Sequence, residues 1–512
     1  MNIKKYIAPI SSIWELLELL LVDDFDIPKE IARQSSKNVL GHFNNLLGSI
    51  YVFAETNYVD RVYRDSYYHY YSSKKNTYNR FCIRLSLFDG EISESDFFDK
   101  IDDLKKKYRG FIILRPTEPS IIGRSVISPK CLKDSKFISC FTSYNSTIDG
   151  IKFTVEGFPH SSQDGETITC AETTLWAIME YFGYKNAEYS PILPSQIIAS
   201  LRKITFERQL PTIGLDVNNM SLVLRESGFG SKIYSKKNYK REFYQLISIY
   251  ISSGIPVLCA IDNHHTEGSI GHAILCIGHR QRTNLEIESI PPLIIDNEDI
   301  RSTAAAKNIV VYDWSQANID FIFMDDNFPA YQARPLSRPA LGYDPALGYD
   351  PAWKDCEITH AVVPLHSKIY LEAYLARGFV FKFLLIGPVP LKANTHLLIR
   401  FFLTTSRSFK ENVTLNKTLN PDLRDLILEY VMPQYIWIAE LTDKELIIQE
   451  SPQANGIIIL DATEANIDYN KPLILAAYQG RVIVFDNNRK LEENKIDIEP
   501  FDIFTVNLKS PS

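Results

Sequence analysis

The 512-residue chain is poor in cysteine, and its few thiols are badly spaced for cross-linking. Seven cysteines stand at 82, 131, 140, 170, 259, 276 and 356, an odd and scattered set without one CxxC pair. That excludes a disulfide framework and a cysteine-rich zinc site. Long apolar runs are missing too: no uncharged stretch approaches the roughly 18 residues a membrane span needs. The opening MNIKKYIAPISSIWELLELLLVDDFD carries Glu15 and Glu18 in its apolar part and is followed by no small-residue cleavage site, so it does not read as a signal peptide. Basic residues are not in excess. With 55 Lys and Arg against 62 Asp and Glu, the net charge is −7, which gives nucleic acid no electrostatic footing as main partner. These absences predict a cytoplasmic protein whose partners are neither nucleic acid nor a membrane.

Aromatic residues, by contrast, are plentiful: 28 Tyr and 28 Phe bring the aromatic share, with Trp, to 12%. Such a chain fills cores and grooves rather than staying disordered. Its length asks for two to four domains. Residues 1–150 read as an N-terminal α/β accessory domain containing the tyrosine-rich stretch YVDRVYRDSYYHYYSSKKNTYNRF, expected to be a helix packing on its neighbours. Within it Ser12-Ile-Trp-Glu15 fits a capping box, and GFIILRPTEPSIIGR a strand, a proline-broken turn and a second strand.

From 151 to 338 the pattern is helices first, antiparallel strands second, an α+β layout. The helix AETTLWAIMEYF should end at Gly183, and NNMSLVLRESGFG at Gly228 and Gly230. GIPVLCAID, GHAILCIGH, NIVVYDW and IDFIFMDD read as strands. Residues 339–355 hold the tandem hexapeptide PALGYDPALGYD, expected to be a Pro/Gly-rich surface loop and flexible rim. Residues 356–512 alternate strands and short helices, a C-terminal α/β accessory domain.

The middle segment carries chemistry. In Gln163-Asp-Gly-Glu-Thr-Ile-Thr-Cys170 the cysteine opens an apolar helix. A helix start has unpartnered N–H groups and a partial positive charge, both favourable to a thiolate. A free cysteine has a pKa of roughly 8.5, and each unit of lowering corresponds to about 1.4 kcal/mol of thiolate preference. His272, at the start of a strand, can take the thiol proton. Asp325, Asp326 and Asn327, at the end of a later strand, can fix the imidazole, with Asp325, first after the apolar run, the leading choice. Gln163 can join the Cys170 N–H in holding an oxyanion. Cys259 and Cys276 sit inside apolar strands and read as core; His264 and His265 occupy a polar loop; Asp461 ends a distant strand as a weak alternative acid.

In this order the set resembles the papain-like cysteine peptidases, nearest in style to the bacteriocin-leader-processing branch and related bacterial proteins. The family pattern is Gln, Cys on a helix, His-Ala-x-x-x-x-Gly on a strand, then Asn or Asp ending a later strand. His272-Ala-Ile-Leu-Cys-Ile-Gly278 matches its second element, and GIPVLCAI matches the strand before it. The match covers about residues 155 to 330. The chain departs from papain in placing Gln163 seven residues before the cysteine rather than six, in having Ala171 after it, and in the long interval after His272, which implies an insertion around 280–308. The resemblance implies a papain-like core with accessory domains on either side and a Cys170–His272–Asp325 triad needing neither metal nor cofactor. It implies a thiol hydrolase acting on peptide or isopeptide bonds of a protein or peptide substrate. The alternatives are a deamidase or transglutaminase-type acyl transferase, or a sensor that binds a peptide without cleaving it.

Overall fold

Alternating apolar residues along the strands give each sheet two dry faces, and the chain uses them to build a stack of layers. The computed structural model describes residues 3–76, 78–117, 121–202, 209–211, 214–485 and 490–511; the turn expected at 118–120 lies outside them. Three seven-stranded sheets follow one another in mixed α+β order. The first runs Lys5–Pro9, Ile50–Tyr58, Cys82–Asp89, Tyr108–Leu114, Ile122–Ile127, Ile151–His160, Thr142–Ile148, antiparallel throughout. Phe53, Phe111 and Ile113 face a cluster rich in aromatic rings, to which the helix Arg61–His69 of the tyrosine stretch contributes Tyr63. Val52, Ala54, Ile112 and Leu114 face the opposite way.

That second face meets the middle sheet across the helix Cys170–Lys185. The middle sheet runs Gln332–Pro335, Asp320–Met324, Gly271–Arg280, Val257–Asp262, Glu357–Val363, Lys232–Ser235, with Phe137–Ser139 paired to the far end of Gly271–Arg280. Along Gly271–Arg280, Ala273, Leu275 and Ile277 pack toward the cysteine helix, while Ile274 and Cys276 pack toward a third layer. The third layer holds the helices Phe243–Ser252 and Ala373–Ile386 and one face of the last sheet. That sheet runs Val310–Asp313, His396–Thr405, Tyr435–Thr442, Gly456–Asp461, Leu473–Tyr478, Arg481–Phe485, Leu491–Lys495. Its first pair is parallel, the others antiparallel.

Several expectations are corrected. Ile151–His160 pairs with Ile122–Ile127 in the first sheet, so that sheet reaches beyond 150. Glu357–Val363, expected in the last domain, is an inner strand of the middle sheet, and Val310–Asp313 leaves the middle segment for the last sheet. The segment 280–308 holds the helices Asn284–Glu288 and Glu298–Ala306, which lead the chain across. Ser12 makes no capping bond to its helix; its hydroxyl donates to the Pro9 carbonyl at 3.2 Å. Gly183 does not end its helix but lies inside it, where a Cβ would overlap Pro191. Gly228 does adopt positive φ, 97°, after Val217–Glu226, whereas Gly230 instead packs closely on the backbone at Ser367. Among the described residues no helix is long and apolar enough to cross a membrane.

Candidate active site

Cys170 is the first residue of its helix. Thr169 caps that helix reciprocally with Glu172, whose carboxylate accepts the Thr169 N–H at 3.1 Å. Upstream, the Asp164 carboxylate accepts the N–H groups of Glu166, Thr167 and Ile168 at 2.9, 2.7 and 3.0 Å, so one side chain folds the loop that delivers the thiol. Three otherwise unpartnered donors are satisfied by one group, which fixes the approach to the helix.

His272 enters from the neighbouring strand and is buried. Its Nε2 donates to Asp325 Oδ1 at 3.1 Å. Asp326 Oδ1 lies 3.4 Å from the same nitrogen, yet neither Asp326 oxygen has a hydrogen-bond partner. Burial on its own lowers the imidazole, but hydrogen bonds with Asp325 and Cys170 and the two carboxylate charges outweigh it, leaving His272 well above its ordinary value.

The two aspartates share a burial cost and differ in their donors. Asp325, fully buried, accepts from Arg334 Nη1 at 2.9 Å, from the Tyr343 hydroxyl at 3.0 and 2.9 Å, from His272 and from the Asn327 N–H at 3.2 Å. Burial pushes its carboxyl up, but the His272 hydrogen bond and charge, with Arg334, hold it well below the carboxylate range. Asp326 has burial, Asp325 and Glu172 against it and only His272 and its own N–H in its favour, and is pushed up to about 7.

Sequence reasoning missed the residues around Asp325. Arg334 is 2% exposed and also donates to the Pro339 carbonyl at 2.8 Å, with Phe328 against its guanidinium at 4.6 Å. Tyr343 belongs to the first PALGYD copy and stacks on Trp353 at 3.7 Å and 4°. Trp353 in turn sets its ring edge to face with His272, 5.6 Å between centroids. The hexapeptides form a surface loop, with Leu341 and Leu347 exposed, that is anchored by its tyrosines: Tyr343 is buried, and Tyr349 of the second copy stacks on Phe328. The repetition was visible in sequence, but nothing local showed that one tyrosine of the two would reach a carboxylate.

Gln163 lies beside the site, its amide donating to Asn327 Oδ1 at 3.2 Å while Asn327 Nδ2 donates to Tyr343 at 3.1 Å. His160, the last residue of its strand, donates to the Phe328 carbonyl at 3.0 Å and anchors the turn after the aspartates. A groove of about 550 Å³ opens over Cys170 and His272, walled by Asp216, Asp262, His264 and His360. His264 is thereby on the groove, bound to Glu357 at 3.2 Å, while His265 turns to Asp355 at 3.4 Å. Asp461 is remote, its carboxylate capping Thr463 in the last sheet, and Cys259 and Cys276 are buried core thiols.

His272, Asp325 and Asp326 place ligand-type atoms within 4.8 Å of one another. The cluster is poorly suited to a cation, because the Arg334 guanidinium and the Tyr343 hydroxyl already occupy the Asp325 oxygens. It suits a proton carrier held between a thiol and a fixed carboxylate. No protein-family model matches the chain, and no curated protein is similar to it.

Proposed function

We propose that this chain is a cysteine-dependent hydrolase with a papain-like core, cleaving peptide or isopeptide bonds through a thioester. The observation that carries it is the Asp325–His272 bond of 3.1 Å beside a cysteine that opens a helix on an accessible groove. Because Nε2 is committed to Asp325, Nδ1 is the nitrogen that exchanges a proton with Cys170. His272 takes the thiol proton, and Sγ attacks the carbonyl carbon. His272 then gives that proton to the departing amine as the C–N bond breaks. Water, activated by the same imidazole, releases the acid and restores the thiol. Arg334 and Tyr343 keep Asp325 ionised, so the imidazolium formed at each step faces a fixed negative charge. An amine in place of water would give acyl transfer, and a carboxamide side chain in place of a peptide bond would give deamidation. All seven cysteines are free thiols, which supports a reducing, cytoplasmic setting.

One observation favours a second reading, a groove that binds peptide without turnover. The Gln163 amide, expected to serve the oxyanion, is spent in part on Asn327. An acyloxymethyl ketone that alkylates activated thiols separates the two, with intact-mass and peptide mapping as readout. Labelling should fall on Cys170, slow more than ten-fold in His272→Ala and Asp325→Ala, and slow less in Asp326→Ala. A thiol that labels no faster than a free cysteine, or that ignores His272, leaves the binding module.

A further inference from the structure

Far from the groove, the strand that carries His272 near its start, Gly271–Arg280, ends at a second cavity of about 520 Å³. Its walls come from all three layers: Ile138 from the first part of the chain, His279 near the end of the strand and Arg282 just after it, and Arg400, Ile503 and Leu508 from the last part. Such junctions between packed units are where small-molecule sites are commonly found, and this volume lies within their usual range.

Two guanidinium groups, those of Arg282 and Arg400, line the cavity, and no carboxylate is among its lining residues. Arg400 pairs with the buried Glu440, whose other oxygen accepts the Phe504 N–H. Arg282 has no carboxylate within ion-pair distance among the described residues; its Nε and Nη2 are buried and donate to nothing. Among the described residues its one hydrogen-bond contact is Nη1 to His279 Nε2, at 3.4 Å. His279 cannot neutralise it: Nδ1 donates to the Arg280 carbonyl at 2.7 Å, so Nε2 is a neutral acceptor, and burial with the Arg282 charge holds the ring down at about 3. The nearest other carboxylates are engaged elsewhere. Asp313 is held by Arg377 at 2.6 Å, and Glu286 caps Thr283 at 2.7 Å. Trp314 shelves the Arg282 guanidinium at 4.5 Å, fixing its plane. Burial first, and the charge of Arg400 second, bring Arg282 down to about 9, as expected of a cation without a counterion. A partly buried charge left this way is costly, and an oxyanion seated in the cavity beside the guanidinium recovers part of the cost through its charge.

We propose that this cavity binds a small organic oxyanion, a carboxylate or phosphate monoester on a flat apolar body, with Arg282 and Arg400 holding the anionic group. The body would lie on the aliphatic wall of Ile138, Ile287, Ile503 and Leu508. The proposal does not depend on the hydrolase reading, so the test uses the full-length Cys170→Ala protein. Calorimetric titration at low ionic strength with 1-naphthyl phosphate, 1-naphthoate and neutral 1-naphthol is expected to show one saturable site for one or both anions and none for the naphthol. Whichever anion binds better identifies the headgroup. Arg282→Gln should weaken that binding at least ten-fold, Arg282→Lys should restore part of it, and Leu508→Trp should block it by filling the cavity with both charges intact. Circular dichroism checks the fold of each variant. No saturable binding of either anion, or binding that survives both Arg282→Gln and Leu508→Trp, overturns the assignment.

Discussion

Asp325 gathers donors from Arg334, Tyr343, His272 and the Asn327 backbone, whereas Asp326, one residue on and nearly as buried, gathers none. The same desolvation is thus offset at one carboxyl and not at the next, and the pH dependence of stability separates them. Asp325, held below its unfolded value, stabilises the fold at all pH values above about 4 and loses that contribution only toward strong acid. Asp326, raised from 3.8 to about 7, works with the opposite sign. Its contribution is full below its unfolded value near 4 and is lost as pH rises to about 7, because the unfolded chain ionises first. Within that window each pH unit costs up to about 1.4 kcal/mol. Asp326→Asn should therefore be more stable than the parent at pH 8 and nearly equal to it at pH 3.5, measured by denaturant unfolding. Parallel curves at the two pH values would show that Asp326 is ionised and solvated.

Single elements show which parts of the site are written locally. The strand Gly271–Arg280 was legible because its apolar run, its leading histidine and Gly278 are contiguous, and the structure gives Gly278 a reason. Phe137–Ser139 pairs so closely there that a Cβ would overlap the Ile138 carbonyl and the Ser139 backbone. Gly278→Ala should cost several kcal/mol in chemical unfolding, as strained or overpacked backbone sites do, while Gly271→Ala, with nothing within 4 Å, should stay within about 0.5 kcal/mol. Equal effects would mean that the two strands separate without cost. The anchoring of the hexapeptide loop was not legible, since PALGYD repeats, QARP and DPAW have no local signature of the tertiary contacts that Tyr343, Arg334 and Trp353 make. Gly183 and Ser12 misled for the same reason: each follows a terminal rule that packing against Pro191, or a hydroxyl turned to Pro9, overrides. Tyr343→Phe keeps the stacking on Trp353 and removes the hydroxyl that donates to the buried Asp325 carboxylate and accepts from Asn327. It should cost about 1.5–3 kcal/mol of stability. It should also displace the pH profile of Cys170 labelling, a readout that a purely structural tyrosine would leave in place.

Over the whole molecule, the domain boundaries were the least legible feature, because each sheet borrows a strand that composition assigns elsewhere. Phe137–Ser139 leaves the first unit to pair with the His272 strand, Val310–Asp313 leaves the middle one, and Glu357–Val363 joins it from beyond the hexapeptides. The final residues close the stack. Ser139 and Lys509 exchange both backbone hydrogen bonds at 3.0 Å, and Asn507 donates to Leu403 and Ser252 carbonyls at 3.0 and 3.3 Å. Leu508 packs against the cores on both sides of the middle sheet, and Gly254, at a φ of 72°, admits the Asn507 carbonyl where a side chain would not fit. One short segment thereby ties strands of the first and last parts of the chain to a helix between them. Ending the chain after Thr505 removes four backbone or amide hydrogen bonds worth about 1 kcal/mol each and part of a leucine's burial. The expected result is a loss of roughly 4–5 kcal/mol, seen by calorimetry as a melting temperature lowered by several degrees. The loss should fall first on the first sheet, whose strand Thr142–Ile148 follows directly after Ser139 and whose Glu156 loses the Lys509 ion pair at 2.6 Å. An unchanged melting temperature would mean that the layers hold together through their shared cores alone.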